Sequence, residues 1–568
     1  MQRLRRALQA IDHKSYPAYK ELRGSYQFER YQLNIDHVQG DPFAAPSRVS
    51  VQVFGKQAGF PAEYYQQKHR RIALEDHLIR LFYQEISRLS FKAKGSGKSG
   101  LMAVSHPGQE VLERSACHID DQQGNIILRF SIGFPANGRS INARELEKIL
   151  FQYLPAAVEH ACLFSRISKQ DCKEVVELAD DQKYIREQLQ SEGLVAFIAN
   201  DAILPRESGV SDQPMRNAVP FQSPESMEVT WQLPHYGTIS GMAIRKGVTL
   251  IIGGGYHGKS TLLQTLEKAV YPHIAGDGRE YVATDASAMK IRSEDGRAII
   301  DKDISMFIRN LPNGRDTTCF TSLDASGSTS QAANVVEAME AGSHTLLMDE
   351  DTSATNFMIR DELMERVVAV GAEPIVPFIK RVRGLYTHRD ISTVLVAGSC
   401  GAFFHVADTI IQMENYRPYE ITMQAKKAAK LYPFSLDPMD GADFPDTEHP
   451  IRFPSQYPAK MGKDGRERPT KLKTMGTDGF QINKENVDLR YLEQITDGEQ
   501  MMAIAKLLDA ILKKYAGKTI RLSKILDQVM ADLEKKGFAG IPGGPGLSDM
   551  AMPRRYELAG CINRYRRR

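Results

Sequence analysis

The chain has 568 residues, a formal net charge of only +3, 25% charged and 42% hydrophobic residues, an ordinary globular balance on a chain too long for one core, so about three to four domains are expected. The near-neutral charge gives no bulk argument for nucleic acid, which must be argued from local clusters. Six cysteines (Cys117, Cys162, Cys172, Cys319, Cys400, Cys561) show no C-x-x-C pair and no zinc-like spacing, and no apolar run reaches the roughly eighteen residues of a membrane span, nor has the N-terminus a signal-peptide core. A soluble, cytoplasmic protein with reduced thiols and no membrane association is expected.

In chain order, Leu4, Leu8 and Ile11 repeat at helical spacing among arginines and predict an amphipathic helix that packs on its own domain. Alternation over 48–54 predicts a strand, 75–89 a helix, 125–134 a second strand, and 143–154 and 172–190 further helices. Between them 91–100 reads F-K-A-K-G-S-G-K-S-G, which resembles a P-loop. Lys92 stands where the first glycine belongs, however, and no apolar strand leads in, so a flexible basic loop is expected. Lys92, Lys94, Lys98 and the loop amides either grip phosphates of a polyanion or are simply solvated. No catalytic constellation is recognisable in this first third, which reads as a mixed α/β domain over 1–165.

A second unit is expected over 166–435. Residues 194–198 and 228–232 read as strands, and 248–261 reads V-T-L-I-I-G-G-G-Y-H-G-K-S-T. Here a buried strand runs into G-x-x-x-x-G-K-[ST], and 262–270 then has helical character. Glycines let backbone N–H groups turn inward around phosphate oxygens, and the helix adds its positive end. The expected nucleotide contacts are Gly253, Gly254, Gly255, Tyr256, His257, Gly258, Lys259, Ser260 and Thr261, with Lys259 on the β- and γ-phosphates and the Ser260 hydroxyl on Mg²⁺. Upstream, Tyr236 is placed either to stack on adenine or to pack in the domain. Downstream, G-D-G-R-E at 276–280 and E-D-G-R at 294–297 are tight turns that either touch Mg²⁺, water or a neighbouring subunit, or are ordinary Asp-Gly turns.

The second strong element is T-L-L-M-D-E-D at 345–351, a short apolar strand ending in two acids. It suits Asp349 to the Mg²⁺ shell and Glu350 to polarising the attacking water. Between the P-loop and this strand lies L-D-A-S-G-S-T-S-Q-A-A-N at 323–334.

That order, P-loop, Ser-Gly segment opening a helix, then Asp-Glu strand, resembles an ABC-type nucleotide-binding domain. Together G-G-G-Y-H-G-K-S-T, D-A-S-G-S-T-S-Q-A-A-N and L-L-M-D-E-D-T-S-A-T-N-F-M-I-R-D resemble the soluble "predicted ATPase of the ABC class" family over nearly the whole chain. The resemblance implies an α/β fold with an ABC-type P-loop NTPase core, an N-terminal mixed α/β domain and a C-terminal mostly helical domain. It also implies a head-to-tail homodimer in which each ATP lies between the P-loop of one subunit and the Ser-Gly segment of the other. The Ser326 hydroxyl and the Gly327 and Ser328 N–H groups would then complete the γ-phosphate shell across the interface, and 351–356 would cross it. Two departures stand out. No glutamine is assignable to the family's Q-loop, leaving Glu294 or Asp295 as candidates, and Gly398-Ser399 replaces the switch histidine. Ser399 is expected to hydrogen-bond the γ-phosphate or water, without the charge of histidine.

The remainder, 436–568, is expected to be a basic linker followed by a helical domain, with helices at 501–515 and 522–535. Arg452, Lys460, Lys463, Arg466, Arg468, Lys471 and Lys473 crowd the linker. Arg554, Arg555, Arg564 and 566–568, with Tyr556 and Tyr565, suggest either a phosphate-gripping surface with stacking rings or a solubilising tail. The leading expectation is an ATP hydrolase whose closure couples to RNA or single-stranded DNA. An ATP-driven protein-remodelling or assembly factor is the alternative.

Overall fold

The structure is a computed structural model that describes the chain except residues 362–366, 368–372, 433–443, 445–447, 456–459, 462–466, 469, 545 and 567–568. Side chains are not described from 456 to 469, so the expected contributions of Lys460, Lys463, Arg466 and Arg468, and of 567–568, lie outside the described residues. The described chain divides into two compact units, Met1–Asp181 with Lys536–Met552, and Gln182–Lys535 with Pro553–Arg568.

The first unit is built on an antiparallel sheet in the order Gly24–Gln27, Gln32–His37, Ser47–Val53, Ile126–Ile132, Met102–Ala103, with Cys117–Ile119 also paired to Ile126–Ile132. Period-two alternation decides which face is buried: Ile126, Leu128, Phe130 and Ile132 are in the core, while Ile127, Arg129 and Ser131 face the other way. The helices Lys68–Leu89 and Leu154–Cys162 and the first helix, Gln2–Ile11, contribute Leu74, Leu78, Phe82, Val158, Leu4, Leu8 and Ile11 to the same core.

The loop 91–100 is held in place by its own amides. Lys94 N–H donates to Glu145 Oε2 at 2.8 Å, Ser96 N–H to Ala136 O at 2.7 Å, Lys98 N–H to Pro42 O at 2.8 Å and Gly100 N–H to Gly133 O at 2.9 Å. A Cβ at Gly133 would lie 1.8 Å from Lys98 O, so only glycine permits this approach. The expectation of a flexible, amide-lined phosphate loop is therefore corrected: those donors are spent on protein acceptors.

The second unit carries two sheets. One is antiparallel, in the order Glu228–Leu233, Gly237–Arg245, Leu194–Ala199, Val282–Thr284. The other is ordered Met289–Ile291, Thr345–Asp349, Ser392–Val396, Val248–Ile252, Thr409–Glu414, Arg417–Glu420, its first five strands parallel and the last returning antiparallel. Strands buried on both faces read as unbroken apolar runs, which is why V-T-L-I-I, T-L-L-M and T-V-L-V are legible but not alternating. The first two flank the third. Parallel order brings all three C-terminal ends to one edge, where open α/β sheets bind ligands.

Residues 471–568 supply a three-stranded antiparallel sheet, Leu472–Thr474, Gly479–Ile482 and Glu485–Asp488, and the helices Gly498–Lys514, Leu522–Lys536 and Arg555–Arg564. Arg555–Arg564 belongs to the same unit as the parallel sheet. Its Arg564 is buried against Glu294 and accepted by Asn334 Oδ1 at 3.0 Å, and Arg554 donates to Glu557, and to Ala286 O at 2.8 Å. Tyr565 is buried and Arg555 pairs with Asp527 at 3.1 Å. The phosphate-gripping reading of Arg554, Arg564 and Tyr565 is corrected: these side chains are internal braces, and among the described residues of the terminal run only Arg566 is exposed.

Candidate nucleotide site

Three adjacent strand ends build the site. Register places Ile251, Val396 and Asp349 side by side, so the loops that follow them, 253–258, 398–400 and 350–354, start as neighbours. The P-loop strand is pinned at its start by Asp408, whose carboxylate accepts from Val248 N–H at 2.9 Å.

Within the P-loop the backbone is left-handed at Gly253 (φ 143°), Tyr256 (φ 63°) and Gly258 (φ 96°). A Cβ at Gly253 would sit 2.4 Å from Met413 O, so that glycine is required by the neighbouring strand as well as by its own φ. Lys259 Nζ spans the loop, donating to Gly253 O at 2.6 Å and Gly254 O at 2.8 Å. The helix Lys259–Lys268 begins without a side-chain cap, so the first-turn N–H groups are free to face an anion. A hairpin turn braces the loop from outside: Asn415 N–H donates to His257 Nδ1 at 2.8 Å and Tyr416 N–H to His257 O at 3.2 Å. Tyr256 is 99% exposed and Ser260 is exposed, Thr261 half-buried.

Asp349 is buried at the end of its strand and accepts from Asp351 N–H at 3.1 Å. Burial raises its carboxyl above the ordinary range, and the Asp351 N–H, Lys290 and Lys259 oppose that rise. Glu350, next in sequence, accepts from Gly398 N–H at 2.7 Å, from Ser399 N–H at 3.1 Å and from the Ser399 hydroxyl. Partial burial pushes its carboxyl up, but those donors and the Cys400 N–H outweigh it and hold Glu350 below its usual value. Ser399 thus sits on Glu350.

Mg²⁺ takes one or two protein oxygens plus phosphates and water, and a hydroxyl at Ser260 with a buried, cation-seeking carboxylate at Asp349 fits that demand. Among the described residues no group of three or more His, Cys, Asp or Glu forms a cage of its own.

The Ser-Gly segment caps a second helix, Gly327–Glu340, with Ser326 as the N-cap. Ser326 makes no cap hydrogen bond and is exposed, its hydroxyl 3.0 Å from Thr329 Oγ1, so the first-turn N–H groups of Gly327 and Ser328 again lack intrahelical acceptors. Buried Gln331 ties this helix to the turn after Glu350: its Nε2 donates to Ser353 Oγ at 2.8 Å, its Oε1 accepts from Ala354 N–H at 2.8 Å, and Ser353 Oγ donates to Asp349 O at 2.7 Å. Gln331 stands at the end of the Ser-Gly segment read from the sequence, but its tie to Ser353 and Ala354 is a tertiary contact that the sequence did not reveal.

Other expectations land elsewhere. Glu294 is buried between Arg564 and Asn334 and donates its own N–H to Ser330 Oγ at 2.8 Å, so it braces the Ser-Gly helix and is not a Q-loop equivalent. Asp295 is exposed, and a Cβ at Gly327 would approach its Oδ1 to 3.1 Å. In the 276–280 turn Asp277 is buried with Arg206 at 2.8 Å and His273 at 2.8 Å, and Arg297 is buried with Glu337 and Asn334, so both turns are structural. Tyr236 is 59% exposed, its ring 4.8 Å from that of Tyr281.

Residues 168–444 match a family described as a P-loop domain of ABC ATPases, 1–165 match the N-terminal region of ATPases of the ABC class, and 471–568 match the MRB1590 C-terminal domain. The uncharacterized protein MJ1628 of Methanocaldococcus jannaschii is 30% identical over 246 residues, 42% of this chain and 54% of that protein, so the chain spans about half the length of this curated relative. Among solved structures, cbiO1 from Clostridium perfringens, part of the ABC transporter complex cbiONQ, is 13% identical over 42% of this chain and 92% of its own, with a TM-score of 0.26. The ADP conformation of MJ1267, an ATP-binding cassette of an ABC transporter, is 10% identical over 42% and 98%, with a TM-score of 0.24. Among the described residues no helix is long and apolar enough to cross a membrane. With its P-loop, its Asp-Glu strand one place removed across the sheet, and family matches that leave only short stretches uncovered, the chain belongs to the ABC-class ATPases.

Proposed function

We propose that the protein is a homodimeric, Mg²⁺-dependent ATP hydrolase of the cytoplasm, in which each ATP is enclosed by the P-loop of one subunit and the Ser326–Ser328 segment of the other. The observation that carries this reading is the meeting of 253–258, Asp349 and Glu350 at one sheet edge, while the Ser-Gly helix starts with no side-chain cap on its first-turn N–H groups. In this reading Lys259 and the P-loop amides bind the β- and γ-phosphates, Glu350 orients and polarises the attacking water, and Ser326, Gly327 and Ser328 complete the γ-phosphate shell in trans. Ser260 and Asp349 would hold Mg²⁺, which neutralises phosphate charge when bound. A cytoplasmic setting is in keeping with six unpaired cysteines.

Closure is proposed to couple to RNA or single-stranded DNA. Support comes from the first unit, where Arg48 stands opposite His37 across two strands and where burial, then Arg48, Arg23 and Lys20, lower the His37 pKa; these three exposed cations make no ion pair among the described residues. Arg3, Arg5 and Arg6 add exposed charge on the first helix, and Lys92 adds more at 91–100. Fluorescence anisotropy with labelled single-stranded RNA, single-stranded DNA and duplex DNA, over several salt concentrations with and without ATP, tests it. Salt-steep binding that changes with ATP is expected. Undetectable binding to all three at low salt would instead favour a protein-remodelling role.

A further inference from the structure

Strand Thr409–Glu414 returns as the edge strand Arg417–Glu420 through a two-residue turn, Asn415 (φ 49°) and Tyr416 (φ 67°). Such a turn demands left-handed backbone at both positions, which asparagine tolerates and a bulky aromatic rarely adopts. Glycine would close it without strain, so a tyrosine is held there against its backbone preference. The Tyr416 ring lies beside the P-loop, where a Cβ on Gly258 would come 3.1 Å from Tyr416 Cδ1, yet the residue is 52% exposed. On the returning strand Arg417 and Tyr419 share the exposed face, while Pro418 is buried on the other. The helix Thr422–Ala429 follows at once, tied to the hairpin by Ile410 N–H, which donates to Thr422 Oγ1 at 2.8 Å. Met423, Lys427 and Lys430 fall at i, i+4 and i+7 in one exposed stripe, with exposed Tyr432 just beyond. Over 414–432 four bases stand against two acids, and Arg417, Lys427 and Lys430 make no ion pair among the described residues. Of the acids, Glu420 is already engaged by Thr422 N–H at 2.8 Å.

We propose that the exposed face of Arg417–Glu420 and of the helix Thr422–Ala429, flanked by Tyr416 and Tyr432, is a docking surface for single-stranded RNA. This rests on the nucleic-acid reading above and names a surface for it in the second unit. Rings left to solvent between unpaired cations suit a single polynucleotide strand: bases stack on Tyr416 and Tyr419, and Arg417, Lys427 and Lys430 track the phosphates. An extended peptide is disfavoured, because Pro418 has no N–H to offer along the sheet edge. The edge favours RNA over DNA. Ile421 N–H donates to Ile410 O at 2.9 Å, so by alternation Gln412–Tyr419 and Glu414–Arg417 are the hydrogen-bonded pairs, and the Pro418 carbonyl faces outward as an acceptor for a 2′-hydroxyl. Asn415 N–H and Tyr416 N–H also hold His257, so RNA bound here touches the hairpin that braces the P-loop.

Fluorescence anisotropy of labelled oligo-U RNA on the full chain, over several salt concentrations, tests the surface. Joint Lys427→Ala and Lys430→Ala substitution should lower affinity about tenfold and make the log–log salt slope shallower by roughly 1.4, the share of two phosphate contacts on a single strand. Tyr419→Ala should weaken binding roughly tenfold, whereas Tyr419→Phe, which keeps the ring, should stay within about twofold. Joint Lys524→Ala and Lys535→Ala substitution removes two exposed lysines from the helix Leu522–Lys536 and should also stay within about twofold. ATP binding by each variant should match the unmodified protein, which shows that the fold is kept. An equal loss from the Lys524 and Lys535 pair would show net charge alone and overturn the surface. Equal affinity for oligo-dU would overturn the assignment to RNA. If the unmodified protein binds no RNA, the nucleic-acid reading itself fails and a protein partner is favoured. If it binds RNA and the Tyr419→Ala and Lys427–Lys430 variants bind as well, only this surface fails.

Discussion

Removing Arg564 tests whether the C-terminal helix is a brace of the ATPase unit. The guanidinium is buried with Glu294, which also takes a hydrogen bond from Asn334 Nδ2 at 2.9 Å, and Asn334 Oδ1 accepts from both Arg564 and Arg297. Arg564→Ala leaves a buried carboxylate short of its main partner, and such losses cost about 3 to 5 kcal/mol. A second route gives a similar size. Burial alone would raise the Glu294 carboxyl, but Arg564 and Arg297 hold it down at about 2, from an ordinary 4.5, worth about 3 kcal/mol. Because the folded value is depressed, this stability is present above about pH 4.5 and is lost as pH falls towards about 2. Urea unfolding of the second unit, followed by tryptophan fluorescence from Trp231, reads it directly. Glu294→Gln should destabilise at pH 7, and the deficit should shrink progressively below about pH 4.5. An Arg564→Ala protein within about 0.5 kcal/mol of the unmodified one at pH 7, the size of an ordinary surface substitution, would refute the brace.

Three further outcomes follow from the same geometry. Lys259→Ala should sharply weaken ATP binding, whereas Glu350→Gln should retain binding and slow single-turnover hydrolysis; normal turnover by the latter would remove Glu350 from the chemistry. Gln331→Leu strands the Ala354 N–H and removes the donor to Ser353 Oγ, which keeps its own bond to Asp349 O, so a stability loss of about 1 to 3 kcal/mol is expected in the same urea assay. Gly133→Ala drives a Cβ into Lys98 O and should lower the melting temperature of the first unit in calorimetry, with ATP affinity unchanged.

What the sequence disclosed was local. The P-loop and the Asp349-Glu350 strand were legible because their chemistry fixes residue types at fixed offsets within one loop. Apolar runs such as 248–252 and 345–348 betrayed parallel strands buried on both faces. The terminal arginines were misread because a run of bases looks alike whether solvated or paired. The partner that decides the matter, Glu294, stands 270 residues away from Arg564. The loop at 91–100 misled for a related reason: Gly97 serves a close approach to Pro42, and the loop amides are claimed by the carbonyls of Pro42, Gly133 and Ala136 and by the Glu145 carboxylate. Ser399 was expected to meet the γ-phosphate or water, and its hydrogen bond to Glu350 is a tertiary contact that spacing does not reveal.

The composite site is the centre of the account, and mixed subunits test it most directly. Lys259→Ala spoils the P-loop half of a site, and Ser326→Arg spoils the half supplied in trans. A heterodimer of the two variants, isolated with different affinity tags, contains one site with both halves intact. It should occlude ATP at about half the stoichiometry of the unmodified dimer, while each variant alone occludes none. Verified heterodimers that trap no ATP, or a Ser326→Arg homodimer that traps it normally, would contradict a site shared between subunits.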